Sequence, residues 1–309
     1  MEFLEELRFL KEQLSFRETI KDTGYKQVVI AGMGSSGIAG KIFQELYTEK
    51  PTYLIDDYRI PRFIDPETLF IAISYSGNTE ETLAATAAAR ERGARIATIS
   101  SGGRLNKLGD ENILIPRADF MPRTAMGYLL MPLLLSFKVS TAEELKRTYE
   151  LLSELDKDNE ECREHAEAIW RAKGIPLIFA SAPFRGVAYR WKAQFNENAK
   201  VISYSNYFPE LSHNETMALA RTYRKEMFYF FVLGSEYADI MKTVGLTEDM
   251  TKTDFHIIAP KGRSMTEKAF YLIHYGDYVT YYLGRLKGED PADWGMIEEL
   301  KRKLAGKDA

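Results

Sequence analysis

Two hydroxyl-rich loops are the first chemistry the chain offers. Gly32-Met33-Gly34-Ser35-Ser36-Gly37 follows the apolar run Val28-Val29-Ile30-Ala31 and opens a helical stretch. Ser74-Tyr75-Ser76-Gly77-Asn78-Thr79 ends a second apolar run and leads into the helical stretch Thr79–Arg92. Where a strand ends, a glycine turns the chain and a helix begins, free backbone N–H groups and the positive end of the helix dipole face outward. Ser35, Ser36, Ser74, Ser76 and Thr79 add hydroxyls, and the combination suits a dianionic phosphate or a sugar oxygen. The second loop alone reads equally well as a capped helix start with Thr79 as the cap. Two such loops at the ends of parallel strands favour phosphate.

The first loop also satisfies the dinucleotide pattern G-x-G-x-x-G, and Asp56-Asp57 closes the next strand about 20 residues on. On that pattern the chain would be a nicotinamide-dependent oxidoreductase. Its two serines, where a pyrophosphate loop uses backbone only, point to a smaller ligand. Ile38 after Gly37 rules out a Walker A loop.

Four further residues could move protons or steady charge. Glu197 closes a helical stretch, Gly186–Asn198, and there faces the negative end of the dipole, which suits a base working near neutrality. The bland alternative is a surface glutamate. His213 lies in Ser212-His213-Asn214-Glu215, which has the form of a capping box and would put the imidazole in a first helical turn. It could equally be a surface or interface histidine. Lys301 falls four residues after Ile297, on or beside the apolar stripe of the last helix, where a lysine either snorkels or lines a pocket. Arg123 sits at an apparent helix start, where a cation opposes the dipole, so a ligand or a carboxylate such as Asp119 is its expected partner. The scattered histidines have no metal-ligand spacing.

The elements that must hold these groups follow an αβ alternation. Residues 2–20 read as an amphipathic helix. Strands are expected at Val28–Ala31, Thr52–Ile55, Leu69–Ser74, Arg95–Ser100 and Asn112–Ile115, with helices between several of them and a buried helix at Leu129–Phe137. A charged helical stretch over 141–173 connects to a second alternation, with strands at Ile175–Ala180, Lys200–Ser205, Met227–Leu233 and Asp254–Ala259. A final amphipathic helix covers about Asp293–Leu304. The pattern predicts an α/β fold of two units, 1–150 and 151–309, each a parallel sheet with helices on both faces.

Composition bounds the setting. The 309 residues are 45% hydrophobic and 28% charged, with net charge −4. No basic footprint points to nucleic acid or an anionic membrane. The single cysteine, Cys162, excludes a disulfide framework within the chain and fits a reducing cytoplasm. The apolar run Tyr128–Phe137 is short of the roughly 20 residues a membrane span needs.

At these residues the sequence resembles the sugar isomerase (SIS) family, and within it the bifunctional phosphoglucose/phosphomannose isomerases. The matching pieces are Gly34-Ser35-Ser36-Gly37, Ser74-Tyr75-Ser76-Gly77-Asn78-Thr79, Pro122-Arg123, Asn196-Glu197-Asn198, Ser212-His213-Asn214-Glu215 and Ile297-Glu298-Glu299-Leu300-Lys301. The resemblance implies two SIS domains, each with a five-stranded parallel sheet, and a homodimer with His213 contributed across the subunit boundary. It implies phosphate held by Ser74, Ser76 and Thr79, with Gly34, Ser35 and Ser36 against the sugar. Arg123 would lie beside the reacting carbons, Glu197 would be the base, and His213 with Lys301 would handle ring opening. No metal or cofactor is implied. The family's threonine near the last helix, associated with room for the mannose epimer, has no counterpart in residues 281–309, and Trp294 falls in that neighbourhood. The competing readings are an SIS isomerase for another sugar phosphate and a non-catalytic sugar-phosphate sensor.

Overall fold

The structure is a computed structural model that describes residues 2–117 and 120–304. It opens with two short helices, α1 (Phe3–Arg8) and α2 (Leu10–Gln13). The first alternation is β1 (Gln27–Ala31), α3 (Gly34–Leu46), β2 (Thr52–Ile55), β3 (Thr68–Ile73), α4 (Glu80–Glu91), β4 (Arg95–Ser100), β5 (Glu111–Leu114) and α5 (Met126–Ser136). Helices α6 (Ala142–Lys157) and α7 (Glu160–Ala172) follow. The second alternation is β6 (Ile175–Ala180), α8 (Arg185–Glu197), β7 (Tyr204–Tyr207), α9 (Glu215–Arg221), β8 (Phe228–Leu233), α10 (Ala238–Thr251), β9 (Phe255–Ile258), α11 (Met265–Leu286) and α12 (Gly295–Leu304).

The first sheet has the order β2-β1-β3-β4-β5 and the second β7-β6-β8-β9, and every pairing is parallel. Central strands carry helices on both faces, so they read as unbroken apolar runs; all six residues of β3 are buried. In each sheet the strand order reverses beside the first strand, between β1 and β3 and between β6 and β8. In such sheets ligands settle at that reversal, outside the carboxyl ends of the strands.

Three expectations need correction. The N-terminal helix stops at Gln13 rather than running to residue 20. The strand expected over Lys200–Ser205 is displaced to Tyr204–Tyr207, because it lies at a sheet edge and its residues are half-buried or exposed. The second sheet has four strands among the described residues, not five.

The two sheets share one core. A single apolar cluster runs from Leu10 and Val28 through Phe43, Leu129, Leu152 and Trp191 to Leu283. Two helix contacts build it. Helices α3 and α8 pack antiparallel: Arg185 pairs with Glu45, Lys41 sits over the Tyr189 ring at 5.3 Å, and a Cβ on Gly186 would come 2.8 Å from the Ile42 nitrogen. Helix α11 then runs behind α8. Gly276 leaves room for Trp191, whose indole donates to the Leu272 carbonyl at 2.8 Å. Several helices end on a lysine in the left-handed region rather than on glycine, among them α7 at Lys173 (φ 52°) and α10 at Lys252 (φ 53°).

Candidate active site

The loops that follow β1 and β3 lie side by side. Gly32 is wedged there, since a Cβ would lie 3.0 Å from the Ile73 carbonyl oxygen. The Tyr75 N–H donates to Ser36 Oγ at 3.3 Å, which joins the two hydroxyl loops. Ser74 Oγ lies 2.9 Å from Thr79 Oγ1 and accepts from the Gly77 N–H at 3.1 Å. Gly77 has φ 65°, and a Cβ would fall 1.8 Å from the Gly102 carbonyl oxygen, so only glycine fits this turn. Ser76 Oγ accepts from the Asn78 N–H at 3.2 Å. Thr79 takes the N-cap position of α4, yet its hydroxyl faces Ser74 instead of capping. The first N–H groups of α4 therefore lack a side-chain cap, and a half-buried hydroxyl pair stands beside them. That arrangement can take an anion. Asp56, the acidic residue a dinucleotide ribose would use, is paired with Lys41 at 3.2 Å.

The antiparallel packing of α3 on α8 matters here. It carries the end of α8, and with it Glu197, to the level of Ser35 and Ser36 at the start of α3. Arg123 meets Glu197 at that end. Its Nη1 lies 3.3 Å from Glu197 Oε2, its Nε donates to Asn198 Oδ1 at 2.8 Å, and its Nη2 donates to the Pro291 carbonyl. The Arg123 side chain is 2% exposed and that of Glu197 29%. Burial pushes the Arg123 pKa down, and the Glu197 carboxylate opposes that shift. An arginine stays charged through such a change.

Arg123, expected at a helix start, stands just ahead of α5, two residues before its N-cap Ala125. Tertiary contacts hold it instead. Phe3 of α1 lies under the guanidinium at 5.2 Å. Buried Glu6 accepts from the Met121 N–H at 2.9 Å and from the Thr124 hydroxyl at 2.6 Å. Arg190, itself held by Asp277 at 2.8 Å, donates to the Arg123 carbonyl at 2.9 Å. The expected partner Asp119 lies outside the described residues.

Two assignments stand apart from this cluster. His213 is exposed and belongs to the 3-10 turn Glu210–His213, with Asn214 at the start of α9. The capping box expected over Ser212–Glu215 is absent: α9 has no side-chain cap bond, and Ser212 Oγ is buried without a partner. In a parallel unit the helix returns to the amino ends of the strands. Glu197 thus lies at the amino edge of the second sheet, while His213, past the end of β7, lies at its carboxyl edge. Lys301 projects from α12, where no residue is buried, and packs over the Trp294 ring at 5.3 Å. A cleft of about 590 Å³ opens there, lined by Trp294, Gly295, Glu298, Glu299, Lys301 and Arg302.

Sequence reasoning missed Phe3, Glu6, Arg190, Asn198, Asp277 and Lys200. Only Asn198 carried a signal, its place beside Glu197. Lys200 Nζ donates to the carbonyls of Glu197 and Asp290 at 2.7 Å and of Asp293 at 2.8 Å. Among the described residues no three metal-ligating side chains come together, and no helix is long and apolar enough to cross a membrane.

Comparison with known proteins shows the family and the fold. A model of the SIS domain matches residues 23–119, and a model of the bacterial phospho-glucose isomerase C-terminal SIS domain matches residues 158–304. The bifunctional phosphoglucose/phosphomannose isomerase of Thermoplasma volcanium is 52% identical over 305 residues, covering 99% of this chain and 100% of that protein. The protein of the same name from Thermoplasma acidophilum is 49% identical over 305 residues, covering 99% and 98%. Among solved structures, glucosamine-6-phosphate deaminase from Thermotoga maritima aligns with a TM-score of 0.69 at 18% identity, over 94% of this chain and 96% of that one, a likeness of fold.

Proposed function

The chain belongs to the family of bifunctional phosphoglucose/phosphomannose isomerases, and from that membership we infer that it interconverts glucose 6-phosphate and mannose 6-phosphate with fructose 6-phosphate. At the site, the reading rests on the Arg123–Glu197 pair, at the end of α8 that the antiparallel packing sets beside the start of α3.

The proposed course is as follows. Ser74, Ser76, Thr79 and the start of α4 hold the phosphate, and that remote binding energy orients the sugar. Gly34, Ser35 and Ser36 lie against the sugar. Glu197 takes the proton from C2 and returns it to C1, through a cis-enediol or enediolate. Arg123 stabilises the charge that grows on the oxygens. C2 is planar in that intermediate, so both epimers share it. His213 and Lys301 move a proton between O5 and O1 as the ring opens. Proton transfers alone complete this reaction, and we propose neither metal nor cofactor for it.

His213 lies at the far edge of its own sheet from Glu197, and this supports a homodimer in which the partner subunit's His213 completes the site. The exposed apolar side chains of α12, Met296, Ile297, Leu300 and Leu304, are also suited to burial in such an assembly. A cytoplasmic setting suits phosphorylated sugars. The division into 1–150 and 151–309 is proposed with α6, which spans residue 150, as the connector.

A coupled assay with EDTA present, run separately on glucose 6-phosphate and mannose 6-phosphate, is expected to yield fructose 6-phosphate from both. Trp294, in the neighbourhood of the family's threonine, is expected to lower the mannose rate. Product from neither sugar would overturn the reading. In Glu197→Gln, exchange of the C2 proton with solvent is expected to vanish while inorganic phosphate still competes; exchange at the wild-type rate would remove Glu197 from the base role.

A further inference from the structure

Lys200 uses an ammonium's three donors on three backbone carbonyls. One is the carbonyl of Glu197, at the end of α8; the others, of Asp290 and Asp293, bracket the turn that leads into α12. Arg123 grips the same two pieces of chain from the buried side, through the Glu197 carboxylate and the Pro291 carbonyl. A second lysine completes the arrangement. Lys287, just past the end of α11, donates to the carbonyls of Ala199 and Lys200 at 2.8 Å each. Residues 197–200 are thus tied by side-chain donors to both ends of the α11–α12 connection.

The backbone at Lys200 bears a strain consistent with this use. Its φ is 51°, in the left-handed region that disfavours any residue with a Cβ. Glycine would relieve the strain but would supply no donor. Burial and the nearby Arg123 charge push the Lys200 pKa down, while Asp293, Glu289 and Asp290 oppose that shift.

We propose that Lys200 is a positioning residue for the isomerisation: it fixes the end of α8 that carries Glu197 and holds α12, with Lys301, against that end. This rests on the reading of Glu197 as the base. A carboxylate that must reach C2 and then C1 of one intermediate tolerates little displacement, and errors of about 1 Å cost on the order of 100-fold in rate. The phosphate loop, on β3 and α4, shares none of these bonds.

The test compares wild type with Lys200→Met, Lys200→Arg and Glu197→Gln on fructose 6-phosphate. Methionine keeps the stem, and water can reach the freed carbonyls near the surface, so the variant is expected to fold. In K200M, kcat is expected to fall about 10- to 100-fold. KM and competitive inhibition by inorganic phosphate should stay within about twofold, a split expected because the phosphate loop is untouched. Deuterium taken up from D2O per turnover should rise, because a loosened base and α12 let solvent reach the enediol. K200R should recover part of kcat. A kcat within twofold of wild type with unchanged deuterium uptake overturns the proposal, as does a fall in kcat matched by an equal loss of phosphate inhibition. Full activity in E197Q would instead sink the base assignment, and this inference with it.

Discussion

Arg123 shows how much one side chain can be asked to do. Its planar fork reaches an amide oxygen, a carboxylate and a backbone carbonyl at once. A lysine there is a point charge on a flexible stem and cannot span those three directions. Arg123→Lys is expected to keep the fold and the positive charge yet lower kcat by about 100-fold, with phosphate inhibition unchanged, in steady-state assays. A rate within threefold of wild type would mean that charge alone suffices. The pair also answers a difficulty in the sequence reading. A carboxylate at a helix C-terminus is unfavourable by about 0.3–1 kcal/mol, and Glu197 offsets this by facing Arg123, while Lys200 caps its carbonyl.

At the scale of elements, the lysines that end helices are a second use of charge against the dipole. Lys252 closes α10 at φ 53° and is exposed. Lys252→Gly removes the left-handed penalty of about 1–2 kcal/mol but gives up some dipole interaction and stiffens the unfolded chain less. A net gain of about 0.5 kcal/mol is expected, seen as a Tm rise of about 1–2 °C by calorimetry; a lower Tm would show that the lysine charge outweighs the strain. The strands of both sheets were mostly legible because burial on two faces makes them plain apolar runs. Edge strand β7, with Tyr204, Ser205, Asn206 and Tyr207, offers no such run, and the apolar Val201-Ile202 before it drew the expectation upstream. Helix α11 was overlooked for a related reason. It is buried on nearly all sides, so Glu267, His274, Asp277 and Thr280 interrupt any amphipathic stripe while finding partners inside. At the site, residue types and motif spacing pointed to the hydroxyls as candidates, and the family resemblance added Arg123 and Glu197. The groups that hold Arg123 and Glu197 were invisible because they act largely through backbone carbonyls or come from α1 and α11, far off in sequence.

For the whole molecule, the opposed placement of Glu197 and His213 makes a site shared between subunits testable. Equal amounts of Glu197→Gln and His213→Ala, each inactive alone, are expected to regain roughly a quarter of the wild-type rate after subunit exchange, since random pairing makes half the molecules hybrid with one intact site of two. No recovery after proven exchange would place both groups in one chain or remove His213 from the reaction.

The pairing of α8 with α11 also imposes an order in time. Arg190 emerges from the ribosome 87 residues before its partner Asp277. At roughly 5–20 residues per second, that is an interval of about 4–17 s. During it a guanidinium destined for the interior has no carboxylate to meet, and burying it alone would be costly. Helix α8 can dock fully only once α11 is made, whereas one face of the first sheet is packed by residues of the first half alone, among them Val29, Phe70 and Ile96. The arrival of α11 is thus expected to be the step that lets Arg190 be buried and the two halves lock together.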